Sequence, residues 1–374
     1  MMMHNDQSVG NNRQILIKRA QTKLRYFFFP ESSISTTVPN REPSLHLVCL
    51  SQMASHSPLE RYAVGQVLAL SVIPESSGTS PPSIIKAKIR QLHKPRTLSC
   101  CMIVDLLGEG YPDNPLFLKL YDRRFSDQLR EDQGVKPWTK DTEKEYIKTV
   151  QTGAADQFLH NLHTVANFED ETEEAWDKGQ NEVFLAQRAR KMFEAETTVY
   201  NSLQDIQGKL VPHLLASINL DILPPNNNVG NIDAFEPFCI KGILLQYVQG
   251  FSLSKVQDYT PKSEWQGIVD QAVAIVQEIS DHKVLNRDVR PDSFMIQRSS
   301  SGYKVFMIDF GLARLRGLDE SDRDWARAKL LTDEEGAAGL IMKLRLGRED
   351  FELQFKSSDR HKEWAGGDDE ELSD

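Results

Sequence analysis

No stretch of this 374-residue chain approaches the about 18 uninterrupted apolar residues of a membrane-crossing helix, so no membrane partner is expected. Positive charge is also short: the formal net charge is −10. Phosphate backbones demand a basic surface, which argues against a nucleic-acid partner. Cysteine is sparse. Cys49, Cys100, Cys101 and Cys239 show no metal-ligand spacing, and free thiols suit a reducing compartment. Cys100 and Cys101 lie in an apolar, strand-like run, where packing rather than redox work is expected. Glycine is never arranged as Gly-x-Gly-x-x-Gly. The sequence therefore specifies no loop that cradles phosphate with backbone amides.

What is present is an ordinary globular composition, long enough for one two-lobed domain with additions or for two domains. Residues 1–57 shift in composition, lack periodicity and read as a disordered extension. Arg13, Lys18, Arg19, Lys23 and Arg25 give this extension the charge of a mitochondrial presequence, but Phe27-Phe28-Phe29-Pro30 is not transit-like. Translated sequence upstream of a start at Met53, rather than Met1, is the competing reading. Strands are predicted at Tyr62–Val72, Ile84–Leu92, Cys101–Leu106 and Leu116–Tyr121, the first two joined by a loop, Pro74–Ser83. Residues 127–180 read as a charged, partly helical insertion with an acidic core, Glu169–Glu174, and as a solvated surface excursion. A long helix follows at about Asn181–Leu203, then strands at Leu214–Leu220 and Ile240–Val248 around a polar loop. Thr260-Pro261 begins another helix, with Trp265, Val269, Ala272 and Ile279 at helical spacing. Thr332 and Glu335 predict a capping box. The helix after them carries Ala337, Leu340, Ile341 and Leu344 on one face, an ordinary core helix by pattern. Residues 359–374 form an acidic tail.

Two carboxylates flank one short apolar hairpin. Phe294–Gln297 and Val305–Ile308 read as paired strands around a polar turn. In an antiparallel pair the start of the first strand lies beside the end of the second. Asp288 and Ser293 should therefore meet Asp309, an arrangement suited to a metal-bound phosphate and an activated hydroxyl. A second constellation rests on burial. Lys119 sits inside the apolar strand Leu116–Tyr121 and needs a partner, because desolvating an ammonium is costly. In the long helix, Leu185, Ala189, Met192, Val199 and Leu203 form one stripe with a single gap, filled by Glu196, whereas Glu194 points elsewhere. Pairing Lys119 with Glu196 satisfies both.

These residues resemble the protein-kinase superfamily. Asn286-Arg287-Asp288 stands where that family has His-Arg-Asp, and Asp309-Phe310-Gly311 matches its metal-binding triplet. The C-terminal half resembles divergent kinase-like proteins common in fungi. The resemblance implies an α+β, two-lobed protein-kinase-like fold: an antiparallel N-lobe sheet with one long helix over residues 58–249, and a shortened, mostly helical C-lobe over residues 250–358. It implies ATP and Mg2+ as cofactors. Lys119 and Glu196 would form the ion pair at the nucleotide phosphates. Leu245 would be gatekeeper, with the Gln246 carbonyl and the Val248 amide at adenine. Asp288 would be the catalytic acid, and Arg290 would stand where many kinases place a lysine. Asp309 would hold magnesium, with Ser293 in place of the family's asparagine. The glycine-rich flap, the Ala-Pro-Glu anchor and a long activation segment are missing.

The function implied is transfer of the ATP γ-phosphate to a protein hydroxyl. The alternatives are a pseudokinase scaffold that binds nucleotide or a partner without turnover, and a small-molecule kinase. The residues leave the acceptor open. A cytoplasmic location is expected, with a nuclear one next and a mitochondrial one behind both.

Overall fold

Strict alternation of apolar residues builds the first half of the fold. In β1 (Val67–Val72), β2 (Ile84–Leu92), β3 (Cys100–Leu107) and β4 (Leu116–Leu120), every second side chain points to one shared interior. Leu70, Ile89, Met102, Leu118 and Leu120 lie there, fully buried. β5 (Leu214–Asp221) and β6 (Cys239–Gln246) add Ile218, Leu220, Ile240 and Leu244. The computed structural model of the chain describes residues 62–74, 83–111, 113–165, 168, 176–221, 237–300 and 302–362. All of them belong to one unit, Val48–Asp374. The expected extension over residues 1–57, the acidic run Glu169–Glu174 and most of the acidic tail lie outside the described residues.

The sheet corrects the expectation of an open kinase-like N-lobe. The strands bond in the order β1-β2-β3-β4-β6-β5, and β5 returns to β1 through Ser71–Asn219 and Val72–Ile218. The result is a closed six-stranded antiparallel barrel with helices, a mixed α+β protein, and not the two-lobed kinase-like architecture. The cause is β1. It lies beyond the β2–β3 hairpin, and sheet twist brings it round to the free edge of β5. Pairing there leaves neither strand as an exposed edge. The interior is narrow enough that a Cβ at Gly242 would lie 2.7 Å from Leu120 and 2.8 Å from Ile218.

Eight helices follow from local signals among the described residues: α1 (Asp127–Asp132), α2 (Lys140–Gln151), α3 (Ala154–Thr164), α4 (Lys178–Ser202), α5 (Val256–Tyr259), α6 (Lys262–Asp281), α7 (Asp322–Thr332) and α8 (Glu334–Gly347). Asp177 caps α4 in a reciprocal capping box with Gln180. The stripe Leu185, Ala189, Met192, Glu196, Val199 and Leu203 is buried along its length. The segment expected to be a solvated insertion is instead partly a core: Tyr146 of α2 and Ala155 and Phe158 of α3 pack on Val183 and Phe184 of α4.

The main apolar cluster joins α4, α6 and α8 to a small sheet of order β10-β9-β7, in which β7 is Phe251–Ser252, β9 Phe294–Ser299 and β10 Gly302–Met307. A two-stranded ladder of β8 (Val284–Asn286) and β11 (Ala313–Leu315) pairs Asn286 with Ala313. At α8 the structure reverses the expected face. Leu340, Ile341 and Leu344 are exposed, and Gly336, Ala338, Gly339, Met342 and Leu346 are buried. The small residues let the following segment in: a Cβ at Gly339 would sit 2.2 Å from the Phe355 ring. The expected capping box is absent as well. Asp333 caps α8, and Glu335 accepts hydrogen bonds from Ser358. Among the described residues no helix is long and apolar enough to cross a membrane.

Candidate functional site

β4 carries two sets of side chains. Leu116, Leu118 and Leu120 fill the barrel, while Phe117, Lys119 and the following Tyr121 face out toward α4 and the main core. Lys119 Nζ donates to Glu196 Oε2 at 2.6 Å and to Asp309 Oδ1 at 2.7 Å. Tyr121 OH, two residues along the same face, donates to the same Glu196 oxygen. The pairing of Lys119 with Glu196 is as the desolvation argument predicts. Glu194 pairs with Arg190 at the surface.

Asp309 arrives from the other side. β9 and β10 pair as expected, with Phe294 opposite Met307, and Ile308 N–H donates to the Ser293 carbonyl at 2.8 Å. The ends of the hairpin therefore bring Ser293 and Asp309 together. Asp309 holds φ at 73°, a left-handed conformation that costs a non-glycine residue free energy. Its carbonyl accepts from Asn286 Nδ2 at 3.0 Å, and its carboxylate takes the Gly311 N–H at 3.4 Å. Phe310 is fully buried, edge-on to Tyr200 of α4 at 5.3 Å. The triplet Asp309–Gly311 is thus bolted to the helix that carries Glu196.

Asp288 is held by backbone rather than by buried charge. Its N–H donates to Asn286 Oδ1 at 3.0 Å, and its carbonyl accepts from Ser293 Oγ at 3.0 Å. The carboxylate stays partly exposed and meets Arg290 at 3.2 Å. The Asn286 N–H donates in turn to Glu334 Oε1 at 2.7 Å, and Glu334 pairs with the buried Lys329, which also donates to the Val284 carbonyl at 2.7 Å. Glu334, in the first turn of α8, thus steadies this loop, while Asp333 caps the helix.

Charge around the site is uneven. Burial pushes Asp288 up to about 6, against the pull of Arg290 and with a further push from Asp309. Burial also works on Asp309, but Lys119 overcomes it and holds that carboxyl below its usual range. Glu196 is raised by burial despite Lys119. Lys119 itself loses to burial but is raised by its two carboxylates, so the ammonium stays charged. In this trio of one cation and two anions, Glu196 is the member that would take a proton first. Cys101, opposite Lys119 on β3, is pushed by burial to about 11 and is no nucleophile at neutral pH.

The residues expected at adenine lie one strand away. Leu245 is buried opposite Phe117, two residues from Lys119 on β4. Gln246 is committed to His213: its N–H donates to that carbonyl at 2.9 Å, and its Oε1 accepts that N–H at 3.2 Å. Val248 is buried just beyond the strand end, and its N–H has no acceptor among the described residues. The loop expected as the flap, Pro74–Ser83, joins β1 to β2 and lies mostly outside the described residues. The turn that borders Lys119 is instead residues 93–99, between β2 and β3. It carries His93, Lys94 and Arg96, with His93 edge-on to Phe117 at 5.4 Å and Arg96 paired to Asp127 at 3.1 Å.

The sequence did not mark Tyr121 or Lys329 as parts of this arrangement. Tyr121 had a usable signal, since it follows Lys119 by two on one strand face. Lys329 had none, because a lysine in a charged helix carries no period. No known protein-family model matches the chain.

Proposed function

We propose that the protein is an ATP-dependent phosphotransferase that moves the γ-phosphate to a protein hydroxyl. One observation carries this reading: Lys119 bridges Glu196 and Asp309, with Asp288 beside them at the same end of the β9–β10 hairpin. The likeness of these residues to kinase motifs supports it, and the reading rests on the site rather than on a kinase fold. Lys119, steadied by Glu196 and Tyr121, supplies the fixed positive charge for nucleotide phosphates. Asp288 orients the acceptor hydroxyl and takes its proton as the hydroxyl oxygen bonds to the γ-phosphorus. The bond from that phosphorus to the bridging oxygen breaks, and ADP leaves. With a carboxyl near 6, Asp288 is mostly ionised at pH 7 and remains basic enough to accept a proton. Arg290, paired to Asp288, stands ready for phosphate charge.

The donor set fits magnesium. Mg2+ keeps several waters and takes one or two carboxylates together with substrate phosphates. The Asp309 carboxylate and the Ser293 hydroxyl would hold it. Among the described residues no group of three or more His, Cys, Asp and Glu forms an all-protein cage, and this chemistry needs none. When bound, the ion would neutralise charge on the phosphates.

ADP release from MgATP by the wild type and Asp288→Asn tests the reading. Turnover that falls by roughly 10²–10⁴ in the variant supports it. Equal turnover in both contradicts it. Nucleotide binding without turnover is the second reading, because Ser293 Oγ is already committed to the Asp288 carbonyl and is a weaker metal ligand than a carboxylate or amide. A small-molecule acceptor is the third, and ADP release without protein labelling would favour it.

A further inference from the structure

The stretch that carries Lys119 reaches the same helix a second time. Arg123, four residues on, sends Nη1 to Glu182 Oε2 in the second turn of α4 and Nη2 to Glu143 Oε2 of α2 at 2.7 Å. Arg130 closes on the other side of Glu182, with Nη2 to Oε1 at 2.5 Å and Nη1 to Oε2 at 3.2 Å. Arg130 also holds the segment itself, donating to the Arg123 carbonyl at 3.1 Å and the Lys136 carbonyl at 2.9 Å. Trp138 Nε1 donates to Glu143 at 2.7 Å, and the Arg123 guanidinium lies 3.7 Å over the Tyr146 ring. Glu182 is wholly buried, and Arg123, Arg130 and Glu143 nearly so.

Glu182 and Glu196 are fourteen residues apart in one unbroken helix, about 21 Å and close to four turns, so they project from nearly the same face. Lys119 and Arg123 span about 13 Å of extended chain, and the long guanidinium arm covers the difference. α4 is therefore clamped to one strand segment at both ends by buried ion pairs. The pair at Glu196 alone would fix charge at one point and leave a pivot about it opposed only by apolar packing. The second removes that freedom, because a swing of α4 would strip a fully buried carboxylate from two arginines.

We propose that Glu182, with Arg123 and Arg130, is a positioning anchor that keeps Glu196 on Lys119 permanently, so that this ion pair is assembled without any gating motion of α4. The proposal builds on the phosphotransferase reading for its consequence, but not for its test. The segment after β4 thus supports the site rather than being a solvated excursion, because α1 and α2 supply Arg130 and Glu143, the outer half of the clamp.

Hydrogen exchange on the full-length protein, wild type and Glu182→Gln, reads the anchor without any activity. The variant keeps the size and the acceptor oxygen but loses the charge. Amides of residues 192–200 should exchange at least tenfold faster. The ATP KM should rise at least fivefold with a smaller change in kcat, a split that general loss of folded protein does not produce. Loosening confined to the first two turns of α4, with residues 192–200 protected as in the wild type, overturns the proposal. If Glu182→Gln does not fold, Glu143→Gln, which removes one of Arg123's two carboxylates, is read by the same criteria, with at least a threefold increase expected and no change contradicting it. If the wild type neither binds nor turns over ATP, the exchange result still decides the anchor, and only the phosphotransferase reading fails.

Discussion

Asp288 and Asp309 flank one hairpin in sequence and lie at the same end of it, yet their surroundings give them different chemistry. Asp309 lies against the ammonium of Lys119 and is held ionised below the usual carboxylate range. Asp288 is gripped through its backbone, its carboxylate left with one partly exposed arginine, and burial lifts it to about 6. Two residues of one type thus acquire different chemistry. One stays a fixed anion and the other can exchange a proton near neutrality. Such a split is the usual way to separate an electrostatic role from an acid–base role. The contrast extends to what holds each side. The barrel side is held by side-chain ion pairs, and Asp288 by hydrogen bonds through its own backbone.

The comparison can be broken or sharpened by experiment, beginning with the largest expected effect. Asp288→Asn should lower kcat by roughly 10²–10⁴, the range lost with a general base. Asp309→Asn should equal or exceed that loss, and would also abolish any magnesium dependence of nucleotide binding. A similar, mild loss in both would mean that the two carboxylates do one job. Lys119→Met should cost about 3–5 kcal/mol in urea unfolding, because it leaves Glu196 and Asp309 together without a cation. A loss under about 1 kcal/mol would show that Lys119 and Glu196 are not the buried pair described.

The pH dependence follows from the two directions. If Asp288 must be ionised to act, kcat/KM should fall tenfold per pH unit below about 6 and level off above it. Asp288 also bears on stability. Its folded-state value lies above its unfolded one, so its contribution is full below the unfolded value and is lost as pH rises through about 6. At pH 7.5 the ionised side chain is therefore a burden on the fold, and Asp288→Asn should stabilise by about 1 kcal/mol while removing activity. Asp309 has the reverse sign. Its folded value is depressed, so its contribution is present above the ordinary carboxylate range and disappears as pH falls through its lowered one. In thermal melts the gain from Asp288→Asn should grow as pH rises from 4 through about 6, whereas the loss from Asp309→Asn should stay constant over that range and shrink only below pH 4; parallel curves would contradict the contrast.

Much of this site was legible in the sequence because its residues break patterns. Lys119 interrupts an apolar strand, Glu196 fills the one gap in an apolar stripe, and Asp288 and Asp309 bracket a hairpin whose pairing follows from alternation. The strands were legible for the same reason, to within a few residues. Closure of the barrel was not. It depends on two register pairs, Ser71–Asn219 and Val72–Ile218, between strands nearly 150 residues apart, and nothing local marks them. The orientation of α8 was misread because its small residues left the packing to Phe355, outside the helix. Asn286 lay within a recognised motif, but its two side-chain hydrogen bonds depend on the long-range pairing of β8 with β11, which no local pattern marks.

The most direct test of the central claim is calorimetric titration of ATP, with and without Mg2+, into the wild type and Asp309→Asn. Binding by the wild type that is at least tenfold tighter with Mg2+, and that loses this gain in Asp309→Asn, is the expected result. ATP binding indifferent to both the metal and Asp309, or no binding at all, would contradict the assignment of Lys119, Glu196, Asp288 and Asp309 as one nucleotide site.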